Sequence, residues 1–160
     1  MSDLNKIALG AGITVVVIGG AAYLMKMNRT QAQLEVINQA NLHKIDLTGL
    51  YIRIDSVLKN PTQGSFKIKF PFVKLIYNGA VVGTSQVIDK DINLPAFGEA
   101  HIDGMMIHIP IIGLLSLGFK VFSALKNGEP IQMQVNTITT IDLGWKLLPY
   151  EITQDVTLKK

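Results

Sequence analysis

The chain reads as mainly β: an antiparallel β-sandwich of six or seven strands with one helix at one end, preceded by a single transmembrane helix. Three observations carry that reading. Nineteen residues from Ile7 to Met25 hold no charge, apolar side chains beyond about residue 46 recur at every second position, and Gly and Pro break those runs at short intervals. Short strands punctuated this way, with a single helical stretch among them, pack as two facing sheets. At 160 residues there is room for one membrane segment and one domain with a real core.

Residues 1–6 form a short N-terminal tail and residues 7–25 the transmembrane helix. Lys6 precedes the uncharged stretch, and Lys26 and Arg29 follow it. As a helix the stretch is about 28 Å long, close to the hydrocarbon thickness of a bilayer. Ile7, Val15, Val16, Val17, Ile18, Tyr23 and Leu24 are the anchor residues. A cleaved leader fits less well, since the run is longer than a usual leader's apolar region and no A-x-A site follows. The chain has no cysteine, which excludes a lipid-modified cysteine and a disulfide scaffold. Lys26, Arg29 and Lys44 lean toward a cytoplasmic domain by the positive-inside rule, by a small margin. Net charge is +3; Lys6 and Asp3 are the charges before residue 26, leaving 14 basic against 11 acidic residues beyond it. That surplus is too mild for nucleic-acid binding.

Residues 26–45 are amide-rich, with apolar positions at Leu34, Ile37 and Leu42, and are expected to form a stalk or short helix. The sandwich domain then occupies 46–160. Leu50, Ile52 and Ile54 alternate with Tyr51, Arg53 and Asp55, the pattern of a half-buried strand. Asn60-Pro61 ends it, because proline offers no N–H to a ladder and keeps the preceding residue extended. Next, Phe66, Ile68, Phe70 and Phe72 point inward before the phase slips to Val73, Leu75 and Tyr77. Pro71 at the slip predicts a β-bulge. Asn78-Gly79 is a hairpin turn, both residues tolerating positive φ. The partner strand returns with a second bulge at Gly83, and Leu94-Pro95-Ala96-Phe97-Gly98 breaks the run. The strand from Ala100 stops at Pro110. Ile111, Leu115, Phe119 and Phe122 then fall at helical spacing, with Asn127-Gly128 as the C-cap of one helix. Ile131, Met133 and Val135 face inward from the following strand, and two further strands, over 137–143 and 150–158, close the chain.

The order of these breaks resembles the late embryogenesis abundant group 2 family, also called the water-stress and hypersensitive-response (WHy) domain. The matching residues are Leu58-Lys59-Asn60-Pro61, Asn78-Gly79 with Val82-Gly83, Pro95-Ala96-Phe97-Gly98 and Ile109-Pro110, across roughly residues 45–158. The resemblance implies a seven-stranded, immunoglobulin-like or fibronectin-like sandwich with one helix and no enzymatic activity. It also implies an N-terminal membrane helix of the kind many members carry. On that pattern Asn60, Pro61, Asn78, Gly79, Pro95, Gly98 and Pro110 are the turns that define the fold.

No catalytic constellation is visible. The serines lack a Gly-x-Ser-x-Gly setting, and there is no Walker loop or dinucleotide fingerprint, so neither an enzyme nor a cofactor is expected. His101, Asp103 and His108 are a poor metal set: seven residues separate the histidines, which puts them on opposite faces of a regular strand. Lys67, Lys69 and Lys74 form an outward basic stripe. It suits anionic headgroups, or, as the simpler reading, the protection of an edge strand from aggregation. The helix is apolar nearly all round, so Ile111, Leu114, Leu115 and Phe119 either bury against the sandwich end or meet a membrane or partner.

The expectation is a non-enzymatic, single-pass membrane protein presenting its sandwich beside the bilayer to other proteins, with no nucleic acid and no small-molecule substrate. The settings to weigh are a cellular envelope and the membrane of a virus particle. A lipid-binding or lipid-transfer module is a further alternative.

Overall fold

Period-two runs of the length seen here give long strands, and the computed structural model, which describes residues 7–9, 13–17 and 34–158, contains five of eleven or twelve residues. Two antiparallel sheets face each other. Strands β1 (Ile7–Leu9) and β2 (Ile13–Val17) pair with each other at the start of the chain. Then β3 (Glu35–Asp46), β4 (Gly49–Lys59) and β9 (Glu99–Pro110) make one sheet in the order β3-β4-β9. The other is built on the long hairpin of β10 (Ile131–Asp142) and β11 (Leu147–Leu158). Strands β5 (Phe66–Lys69) and β6 (Phe72–Tyr77) both pair with β10; β8 (Asp91–Leu94) covers β5, and β7 (Ala80–Thr84) covers β6. Between β9 and β10 lie two short helices, α1 (Ile111–Leu117) and α2 (Phe119–Asn127).

The core is what alternation dictates. Leu50, Ile52, Ile54 and Leu58 from β4, with Ile107 and Ile109 from β9, meet Ile68, Val73, Leu75, Val135, Ile141 and Val156 of the other sheet, all fully buried. Burial of each side chain contributes about 1.5–3 kcal/mol. Both expected bulges are present. Three residues lie between Ile68 and Phe72 but two between their partners Ile141 and Ile138, so one extra residue sits at the Phe70-Pro71 step. The second lies at Val82, beside Gly83. A Cβ on Gly83 would come within 2.6 Å of Ile107, so that glycine lets the two sheets approach. Asn78 (φ 48°) and Gly79 (φ 79°) take the left-handed conformations of their hairpin.

Five expectations are corrected. The residues read as a stalk up to position 45 include β3, a full core strand. Its inward row is Leu34, Val36, Asn38 and Ala40, and a polar and a small residue in that row mask the period. Phe72 lies on the outer side, because the phase changes at Pro71 rather than after Phe72. The stretches expected as separate strands after Ile131 are the single strand β10. One helix becomes two, broken at Gly118, whose φ of 87° a helix cannot continue. Finally, β5 and β6 are interior to their sheet, so Lys67, Lys69 and Lys74 protect no edge.

The anchor expected over 7–25 falls largely outside the described residues. Its two described pieces are β1 and β2, with β2 paired to β11 at Gln154 and Asp155. Residues Val15, Val16 and Val17 are β-branched and suit an extended chain as readily as an apolar helix. Among the described residues no helix is long and apolar enough to cross a membrane.

Candidate functional site

The sandwich has two ends, and the polar and apolar features that matter sort between them. At one end the loops β4–β5, β8–β9 and β10–β11 meet beside Leu34, where β3 begins. Asn60 is the hub. Its own N–H reaches Gly98 O at 2.9 Å, and its side chain is 1 % exposed. Nδ2 donates to Gly64 O at 2.7 Å and Pro95 O at 2.9 Å, while Oδ1 accepts from Thr62 N at 3.0 Å and Thr62 Oγ1 at 2.7 Å. The Asn-Pro turn and the Pro95–Gly98 turn are thus two halves of one knot. Gly98 belongs to it sterically, since a Cβ there would strike Pro95 Cγ at 2.3 Å.

From this knot large side chains project outward. Phe97 is 70 % exposed and sits at φ 53°, a conformation bulky residues rarely adopt, held by its N–H on Thr62 O at 3.0 Å. Trp145 and Leu147, at the tip of the β10–β11 hairpin, are 68 % and 64 % exposed. That tip is tightened by Gly144 N on Asp142 Oδ1 at 2.7 Å and Leu143 N on Lys146 O at 3.0 Å. The sequence marked Phe97 only as part of a turn, and Trp145 and Leu147 not at all.

The helices cap the opposite end. Leu114, Leu117, Val121 and Leu125 bury inward, while Ile111, Ile112, Leu115 and Phe119 face out, Phe119 at 82 % exposure. The helical stretch therefore divides its apolar residues between core and surface. Ile111, Leu114, Leu115, Phe119 and Phe122 line a cavity of about 180 Å³. Phe122 also borders a wider cleft of about 620 Å³ with Leu42, Leu47, Lys44 and Lys126. Beside it, Asp46 accepts from Thr48 N and Oγ1 and pairs with Lys44 at 2.7 Å; the Lys44 ammonium first and the Thr48 donors second hold its carboxyl well below the usual range. Pro110 precedes α1 with extended geometry, as a strand-ending residue should.

Between the ends, the interior holds a closed polar network. Asn38 Nδ2 donates to Gln154 Oε1 at 2.7 Å and Thr137 Oγ1 at 2.9 Å, Ser56 Oγ donates to Asn38 Oδ1, and Gln154 Nε2 donates to Val36 O. Tyr150 adds a bond from its hydroxyl to Leu34 O at 2.9 Å, and burial, with Glu35 nearby, pushes its phenol well above the ordinary range. Two strands of one sheet and two of the other are joined here with every partner satisfied, which is a structural arrangement rather than a reactive one.

Lys67 and Lys69 face outward on β5 and Lys74 is half-buried on β6. Lys69 pairs with Asp91 at 2.8 Å and Asp89 at 3.3 Å, which raises its pKa and offsets the stripe locally. The two strand histidines come out on the same face, contrary to the regular-strand expectation: β9 has an extra residue at Asp103-Gly104 opposite Asp55, which restores the phase. They remain apart, His101 against Glu99 at 2.9 Å and His108 stacked on Tyr51 at 4.5 Å. Among the described residues no group of three or more His, Asp or Glu could hold a metal ion.

No family model matches this sequence, and no curated protein matches it. The fold defines an antiparallel β-sandwich class, and the solved structures similar to it in shape include two distant ones. A protein of Arabidopsis thaliana solved in solution has TM-score 0.55 and 15% identity, over 81% of this chain and 83% of that one. A crystal structure from Archaeoglobus fulgidus has TM-score 0.51 and 12% identity, over 80% of this chain and 98% of that one. At such identities the likeness shows the fold alone.

Proposed function

We propose that this chain is a non-catalytic, membrane-anchored interaction module, with residues 7–25 as its anchor and the helical cap as its contact face. The observation that carries the reading is the outward row Ile112, Leu115 and Phe119, three large apolar side chains at 78 %, 62 % and 82 % exposure on one cap. Soluble surfaces rarely cluster such residues without a partner for them. The partners it implies are the bilayer through residues 7–25 and another protein of the same membrane through the cap.

The fold type we assign is immunoglobulin-like. Leaving aside β1 and β2, and with β5–β6 and β7–β8 each taken as one bent strand, sheets of three and four strands give seven. The late embryogenesis abundant group 2 resemblance is supported by the way its motifs Asn60-Pro61 and Pro95–Gly98 meet through the Asn60 side chain. The lipid-transfer alternative is weaker: the cavity lined by Ile111, Leu114, Leu115, Phe119 and Phe122 alone, about 180 Å³, is below the roughly 300–1,000 Å³ of ligand sites, and the wider cleft beside it is edged by the charged Lys44, Asp46 and Lys126.

Alkaline carbonate extraction of native membranes tests the anchor. The full chain should stay in the pellet, whereas a chain starting at Leu34 should be released. Full-length protein in the supernatant would instead place β1 and β2 permanently on the β11 edge and end the anchor reading.

A further inference from the structure

The end of the sandwich at which the described domain begins, at Leu34, carries its own apolar projections, and their positions fit a bilayer surface. From Met25 to Leu34 the chain can span at most about 30 Å even fully extended. Leu34 lies at the loop end: Glu35, Lys59 and Glu99 stand in one row across β3, β4 and β9, and Phe97 is two residues beyond that row. The helical cap is at the other end of the twelve-residue strand β3, roughly 40 Å away at 3.2–3.4 Å per residue.

We infer that Phe97, Trp145 and Leu147 insert into the interfacial layer of the same bilayer that holds the anchor, standing the sandwich on its loop end with the helical cap pointing away. This rests on the anchor reading above. Two independent loops supply the three side chains, and each loop is fixed by hydrogen bonds rather than left mobile. Phe97 is presented from a strained backbone, the kind of local departure that persists where it serves a contact. Aromatic rings with one apolar body and one polar or polarisable edge settle at headgroup depth. Charge around them is mixed: Lys59, Lys67 and Lys146 against Glu35, Glu99 and Asp142. Attachment at this end is therefore apolar and insensitive to salt, unlike attachment through a lysine stripe.

Trp145 is the only tryptophan, so its fluorescence reports this contact directly. The full chain is reconstituted into phosphatidylcholine vesicles and washed with carbonate. Loss from the vesicles at that step overturns the anchor reading, and this inference with it. In protein that survives the wash, Trp145 emission should shift to shorter wavelength, resist iodide, and be strongly quenched by lipids brominated near the glycerol end of the acyl chain. Retained protein whose Trp145 stays water-like and open to iodide overturns the inference while leaving the anchor standing. A second probe, Phe119→Trp in a Trp145→Phe background, should remain unquenched by the brominated lipids. Equal quenching at both positions overturns the upright orientation.

Discussion

The two ends of the sandwich expose apolar side chains by opposite physical routes. The helical cap does so because two short apolar helices have more apolar positions than one sheet end can cover: Leu114, Val121 and Leu125 bury, and Leu115 and Phe119 are left over. The loop end does so against local preference, with Phe97 at positive φ and Trp145 on a hydrogen-bonded tip. The cap is held by apolar packing and the loop end by one polar hub. An exposed apolar residue maintained at the expense of backbone strain says more about a contact than one left over from packing.

The largest effect should come from the hub. Asn60→Ala leaves buried carbonyls and a turn N–H without partners and should cost about 4 kcal/mol, read as a lower urea midpoint at unchanged slope. A loss under about 1 kcal/mol would mean the loops are held by something else. At the cap, Leu125→Ala should cost about 3 kcal/mol through the cavity it leaves. Phe97→Gly should act in the other direction, stabilising by about 1 kcal/mol as the strain is relieved, while weakening vesicle contact at the loop end. Phe119→Ser and Trp145→Ser should each change stability by less than about 0.5 kcal/mol, since neither is buried.

The smallest effect concerns acid. The folded-state pKa of Asp46 lies below its unfolded value, so its contribution is present above the ordinary carboxylate pKa and fades as pH falls through and below it. Asp46→Asn should flatten the decline of stability below about pH 4. An unaltered acid profile would remove Asp46 from the cap's support.

How far each end was legible in the sequence follows from the same contrast. Strands β4 and β9 and the Asn78-Gly79 hairpin could be read because their inward rows are apolar but for Ser56 in β4. Strand β3 could not, since Asn38 occupies a core position that its partners Gln154, Thr137 and Ser56 make tolerable. The helix break at Gly118 was hidden because apolar residues on both faces satisfy helical spacing with or without it. For the loop end, Asn60, Pro95 and Gly98 were visible as turns. Their union in one knot was not, because thirty-odd residues separate the partners and local chemistry does not specify which loops meet.

The bridge from Asn38 to Gln154 also has a mechanical meaning. A pull between the bilayer and a partner on the cap would be applied at Leu34 and resisted at the helices, along the length of β3. In that geometry the β3–β4 hydrogen bonds are loaded together in shear instead of being peeled one at a time. The first resistance lies across the sheets, at Tyr150 on Leu34 and at Gln154 on Asn38 and Val36, so load passes at once from β3 into β11. Single-molecule pulling between Leu34 and Lys120 should therefore give a rupture force that Gln154→Leu lowers, making β3 a tension-bearing strap.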